Sequence, residues 1–223
     1  MANRPVFVTS TDKYLVEEHS IEFKFFNGFS VSQKQKSIAS LHEAFAKVSS
    51  KKILEVSTKA DSKLGWALSA FNLQVDFKEG RTISMECAFQ GSKVFENGMQ
   101  YSDLYYGESL AAKKDPRIRT SGNLKCFTYA GEEWGLEPKT AFYDWLYMSA
   151  LFRHHPDIIE QLLEYEAFTD IEFNPKRSIN CQARTCAMLV SLVRLGKLEE
   201  ALSSPKRFIE VVYPTPPKQG SLF

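Results

Sequence analysis

Apolar and polar residues alternate in short runs at the start of the chain, at Val6 to Val8, at Tyr14 to Glu17 and through Ile21-Glu22-Phe23-Lys24-Phe25. A period of two sends successive side chains to opposite faces, so these runs predict half-buried strands. Asn27-Gly28 breaks the pattern, and from Ser32 the period lengthens, with Ile38, Leu41, His42, Phe45 and Val48 spaced as one face of a helix. Ile53 to Val56 and Leu73 to Phe77 predict two further strands, the second followed by a turn at Lys78-Glu79-Gly80-Arg81.

After Thr82 the pattern turns mainly helical. A helix is expected over residues 84–95, another from Leu104 to Lys114 with a stop at Asp115-Pro116, and a strongly apolar one from Thr140 to Phe152 behind Pro138. Pro156 opens a helix after His154-His155, a pair without metal-ligand spacing that reads as a helix boundary. An extended piece at Phe168 to Phe173 closes at Asn174-Pro175, and a helix from Cys181 to Leu195 ends at Gly196, a C-cap residue. The fold class predicted is α+β, mainly helical, in one domain. Residues 1–82 form a β-rich part with an inserted helix, residues 83–212 a helical part, and the proline-rich residues 213–223 an extended surface tail.

Composition narrows the function. With 28 Lys+Arg against 27 Asp+Glu in 223 residues, the chain lacks the broad positive field of a protein that holds DNA mainly by neutralising phosphates, so any nucleic-acid contact must be local. No apolar run approaches the roughly 20 residues that span a bilayer, and the first residues lack a secretory pattern, so a soluble, cytoplasmic protein with no membrane partner is expected. Cys87, Cys126, Cys181 and Cys186 show no CxxC spacing and read as reduced, buried thiols rather than a disulfide framework or zinc site. No metal and no cofactor are expected.

The densest chemistry lies in Ser84-Met85-Glu86-Cys87-Ala88-Phe89-Gln90-Gly91-Ser92-Lys93-Val94-Phe95. On a helix, Glu86, Gln90 and Lys93 fall at i, i+4 and i+7, which brings an acid, an amide and an amine onto one stripe. Apolar neighbours on both sides favour a buried helix whose polar seam faces a cleft.

This block resembles the E-x-x-F-Q-x-x-K motif of the NADAR superfamily, the YbiA-like N-glycosidases, with Glu86, Phe89, Gln90 and Lys93 in the matching positions. Gln74-Val75-Asp76 and Gly80-Arg81-Thr82 are similar to the strand and turn that lead into it, and Leu110-Ala111-Ala112-Lys113-Lys114-Asp115 to the family's alanine-rich segment. Two departures mark a divergent branch: Glu172-Phe173-Asn174 replaces the family's Trp-Gly after Asp170, and a longer stretch separates Phe29-Ser30 from the Glu86 block. The run Gly28 to Lys36 and the segment Asn180-Cys181-Gln182-Ala183-Arg184 are similar to NADAR proteins encoded beside guanine-targeting DarT toxins. The resemblance implies an antitoxin that removes ADP-ribose from guanine in DNA, with ADP-ribose, ADP-ribosylated and single-stranded DNA, and a DarT-type toxin as partners. Cleavage of a ribosylaminopyrimidine metabolite, and a non-catalytic module that binds ADP-ribose or a toxin, are the alternatives.

Breaking an N-glycosidic bond to ribose calls for a carboxylate near C1, for which Glu86 is the candidate. A ring-opened ribose can instead be held by a lysine as a Schiff base, which requires a neutral amine. Lys36 and Lys34 rank slightly above Lys93, because a lysine ion-paired to Glu86 would be held protonated. Phe29, Phe89 and Trp134 are the aromatics considered for stacking on a base. Asp170 is considered for a ribose hydroxyl, and Gln182 and Arg184 near a helix N-terminus for a pyrophosphate.

Overall fold

The computed structural model describes residues 1–12 and 14–214. Strands β1 (Ala2–Thr9) and β2 (Val16–Phe23) lead into α1 (Val31–Ala46), β3 (Ile53–Glu55), α2 (Lys63–Ala67), β4 (Gln74–Asp76), β5 (Thr82–Ser84) and α3 (Met85–Gly91). Then come β6 (Lys93–Phe95), α4 (Ser109–Lys114), α5 (Pro116–Thr120), β7 (Leu124–Tyr129), β8 (Glu132–Trp134), α6 (Ala141–His154) and α7 (Pro156–Leu162). The described chain finishes with β9 (Ala167–Thr169), α8 (Gln182–Arg194), α9 (Leu198–Leu202) and α10 (Pro205–Val212). This is an α+β fold.

The N-terminal alternation builds one side of a four-stranded sheet ordered β2-β1-β9-β3, in which β1 is antiparallel to both neighbours and β3 runs parallel to β9. The period of two appears directly in the packing. Val6 and Val8 of β1 and Ala167 of β9 meet Ile38, Leu41 and Phe45 of α1, whereas Phe7 and Phe168 point the other way into the larger core built by α6 and α8. β1 is therefore buried on both faces rather than half-buried. On α1, Ile38, Leu41 and Phe45 are buried as their spacing predicts, but the helix stops at Ala46 and Val48 lies beyond it, exposed.

The chain after Thr82 is less helical than its apolar pattern predicts. β6, β7 and β8 form a three-stranded antiparallel sheet in which Lys93 pairs with Phe127 and Phe127 with Trp134. The helix expected over residues 84–95 thus ends at Gly91, and Lys93 opens a strand. The helix expected from Leu104 to Lys114 is a 3-10 turn at Ser102–Tyr106 followed by α4. Asp115 ends α4 and also caps α5, accepting from the Arg117 N–H at 2.9 Å. His154 and His155 join α6 to α7, where His154 lies 2.9 Å from Asp76 and His155 meets the Gln74 carbonyl at 3.1 Å. α8 ends as expected before Gly196, which takes φ of 65°. Most of the tail expected to be extended, from residue 215 onward, lies outside the described residues.

Candidate active site

Every residue of α3 is buried. Ser84 caps it, its hydroxyl accepting from the Cys87 N–H at 3.1 Å, and the N–H groups of Met85 and Glu86 are bound by the carbonyls of Leu73 and Ala70. At the other end a Cβ on Gly91 would lie 2.8 Å from the Tyr105 ring, so glycine lets that ring close over the helix. A helix tied down this way presents its polar seam in a fixed direction.

Along the seam, Lys93 Nζ donates to Gln90 Oε1 at 2.7 Å, and Gln90 Nε2 donates to Glu86 Oε1 at 2.8 Å. Because Lys93 sits on β6 rather than on the helix, the amide spans the gap and Lys93 is not ion-paired to Glu86. The premise that ranked Lys93 below Lys34 and Lys36 therefore fails. Burial pulls the Lys93 ammonium below its ordinary pKa, with Glu86 opposing the shift and Lys113 adding to it. Its Nζ also lies 5.0 Å from the centre of the Phe89 ring.

A cleft with two lobes opens at Glu86. One lobe, about 750 Å³, is walled by Phe89, Gln90, Lys93, Phe127, Lys139 and Lys176. The other, about 720 Å³, is walled by Arg4, Lys34, Ser57, Asp170, Glu172 and Gln182. Glu86, Lys113, Tyr143, Arg177 and Asn180 border both lobes. Glu86 is 5% exposed and, among the described residues, only its Oε1 takes a hydrogen bond, leaving Oε2 for the cleft.

Asp170 stands in the second lobe just past β9. Its Oδ1 accepts from the N–H groups of Glu172 at 2.9 Å and Phe173 at 3.2 Å, and burial lifts its carboxyl to about 7. Tyr143 stays neutral, since burial first and the charge of Glu86 second push its phenol well above the usual value. Asn180 Oδ1 is buried with no donor among the described residues, an acceptor available to a ligand.

Other expected site residues are placed differently. Lys34 faces the second lobe and pairs with Glu172 at 2.8 Å, but Lys36, two positions on, is exposed and does not line the cleft. Residues two apart on a helix do not share a face, so these lysines do not act as a pair. Phe29 is fully exposed outside both lobes. Trp134 is 2% exposed and packed against Phe142, Trp145 and Phe208, a core residue with no face left for a base. Gln182 touches the second lobe, but its Oε1 accepts from the Ala70 N–H at 2.8 Å and its Nε2 donates to the Val56 carbonyl at 2.6 Å, so both ends tie loops together. Arg184 turns to the buried Asp144, 3.6 Å away, rather than to the cleft.

A family model described as DarT1-associated NADAR antitoxin matches residues 2–221. The chain belongs to this NADAR antitoxin family. No curated protein sequence matches it. In this NADAR protein Glu86 borders both lobes, and Phe89, Gln90 and Lys93 of the same block line the first. Tyr143, Asn180, Arg177 and Lys113 border both lobes of this NADAR protein but are not among the site residues the sequence predicts: Tyr143 sits in an apolar helix that reads as core, Asn180 and Arg177 in a stretch without periodicity, and Lys113 in the segment similar to the family's alanine-rich one. Among the described residues no three His, Cys, Asp or Glu side chains are grouped as metal ligands, and no helix is long and apolar enough to cross a membrane.

Proposed function

We propose that this NADAR protein is an N-glycosidase that removes ADP-ribose from guanine in single-stranded DNA and so reverses the action of a DarT-type toxin. The observation that carries the reading is the Glu86 carboxylate at the junction of the lobes, with one oxygen held by Gln90 and the other left to the cleft. A lobe of several hundred cubic ångströms is the size of an ordinary ligand site. Two such lobes meeting at one carboxylate suit a substrate with a nucleotide on one side of the scissile bond and a base on the other. The cations lining them, Lys34, Lys113, Lys139, Lys176 and Arg177, supply the local positive contacts that the balanced net charge does not provide overall.

In this reading Asp170, whose carboxyl lies at about 7, is protonated in about half of the molecules at neutral pH and gives that proton to the departing guanine as its bond to C1 breaks. Glu86 stabilises the electron-poor C1. Lys93 Nζ, drawn toward its neutral form by burial, bonds to C1 as guanine departs, and the ribose ring then opens, its ring oxygen taking a proton from the bound amine to leave a protonated Schiff base. Water then adds to the imine with Glu86 taking its proton and passing it to the Lys93 nitrogen, the C1–N bond breaks to free the amine, the aldehyde closes again as ADP-ribose, and the hydroxyl proton released returns to Asp170 through solvent. One water is consumed, one C–N bond is broken, and guanine regains its hydrogen. Lys34, paired with Glu172, serves as a fixed cation for an anionic part of the substrate.

Borohydride trapping tests the chemistry. Incubation with guanine-ADP-ribosylated single-stranded DNA and borohydride should leave one adduct, located on Lys93 by mass spectrometry and lost in Lys93→Ala. Trapping on Lys34 moves the nucleophile to the second lobe. No adduct in any variant, with release intact, removes the imine route and leaves direct hydrolysis at Glu86.

A further inference from the structure

Behind Asp170 lies a buried acid that the reaction scheme does not use. Glu55, the last residue of β3, is 2% exposed. Its register partner on β9 is Thr169. The Thr169 hydroxyl donates to Glu55 Oε2 at 2.7 Å, and the Ile171 N–H donates to Glu55 Oε1 at 2.8 Å. One carboxylate therefore holds the residues immediately before and after Asp170.

The chain of bonds continues to α1. Thr169 Oγ1 also shares a hydrogen bond with His42 Nε2 at 2.8 Å. Burial depresses His42 to about 4, so it is neutral at ordinary pH. Gly65 completes the setting, since a Cβ there would lie 2.0 Å from the Glu55 carbonyl oxygen.

We propose that Glu55 is a positioning residue for Asp170: by clamping Thr169 and Ile171 it sets the angle at which Asp170 enters the cleft, and its own ionisation is linked to that of Asp170. This rests on the reading of Asp170 as the proton donor. Burial and then the charge of Asp170 raise the Glu55 carboxyl to about 8, so the two acids lose their protons in overlapping steps. The other charged or titratable groups around them are Glu172 with its partner Lys34, Lys113, Tyr143, Tyr147, Cys181 and Cys186 about Asp170, and His42 with Asp61 behind Thr169.

Glu55→Gln preserves shape. The amide oxygen can take the Ile171 N–H, and the amide N–H can meet Thr169, which then turns its hydroxyl to His42. Glu55→Leu keeps the bulk but leaves both donors orphaned. Glu55→Leu, folded by circular dichroism, should lose roughly a hundredfold in kcat with KM within about threefold. Glu55→Gln should recover most of that loss. In carboxyl-13C-labelled protein, the Asp170 carbon should follow two ionisations in the wild type and one in Glu55→Gln, a change that a merely structural role would not produce.

A folded Glu55→Leu with wild-type kcat, or an identical Asp170 titration in wild type and Glu55→Gln, overturns the proposal. If Glu55→Leu does not fold, the Glu55→Gln titration decides. If no substrate releases ADP-ribose while the Asp170 titration still simplifies in Glu55→Gln, the reaction reading fails but the link between the two acids stands.

Discussion

Gln90 donates through Nε2 to Glu86 Oε1 at 2.8 Å from one turn further along the same helix, and so fixes one oxygen of a carboxyl group that borders both lobes of the cleft. The same amide receives Lys93 through its carbonyl oxygen. Gln90→Leu, similar in size, would break both bonds at once. The expected result is a fall in kcat of roughly tenfold to a hundredfold with the melting temperature little changed, read by steady-state kinetics and calorimetry.

The amine of Lys93 must be neutral to form an imine, so the yield of borohydride-trapped adduct should rise with pH through the Lys93 pKa, which burial has lowered. Lys113 adds to that lowering. Lys113→Met removes the like charge, which favours protonated Lys93, and should move the rising limb to higher pH. A limb that stays put or moves down would show that Lys113 does not act on Lys93.

Only part of this site was legible in the sequence. The Glu86 block was, because its acid, amide and aromatic sit within one helix and local spacing is all that is needed to align them. The strand at Lys93 was not, because its partner is Phe127 and a pairing over that distance leaves no local periodicity. Lys34 and Lys36 look alike in the chain, and only the rotation of α1 separates the one that faces the cleft from the one that does not. The surroundings of Trp134 and Gln182 were not legible either, because indoles and amides also serve cores and loops, and sequence does not show which partners have already claimed them. Glu55 was hidden inside the apolar run Ile53 to Val56, where one acid reads as an outward-facing strand residue.

Arg184 separates a structural role from a ligand-binding one. It offsets Asp144, which is 2% exposed and also accepts from Thr185 and Tyr213. Arg184→Met should cost about 1–2 kcal/mol of stability, a figure reduced because the arginine is partly exposed. Affinity for ADP-ribose by calorimetry should not change. A large loss of affinity in a stably folded variant would return Arg184 to the pyrophosphate role.

The raised carboxyls make stability depend on pH in a definite direction. Glu55 and Asp170, at about 8 and about 7 against ordinary values of 4.5 and 3.8, bind protons more tightly when folded than when unfolded. Their contribution is whole below the unfolded pKa and is lost as pH rises through the folded one. His42, lowered from 6.5 to about 4, acts in the opposite sense, its contribution being lost as pH falls through that range. Between pH 6.5 and about 8 the acids therefore dominate among these three groups, and the melting temperature should drop as pH rises. Glu55→Gln should flatten that slope, whereas an unchanged slope would mean that Glu55 titrates as it does in the unfolded chain.

The central claim is that this NADAR antitoxin releases ADP-ribose from guanine, with Glu86 at the reacting carbon. The most direct measurement incubates purified protein with guanine-ADP-ribosylated single-stranded DNA and follows free ADP-ribose and restored guanine by mass spectrometry, with Glu86→Gln in parallel. Turnover by the wild type and a loss of at least roughly a hundredfold in Glu86→Gln is the expected result. Full activity in Glu86→Gln, or no release by the wild type from this DNA, would contradict it.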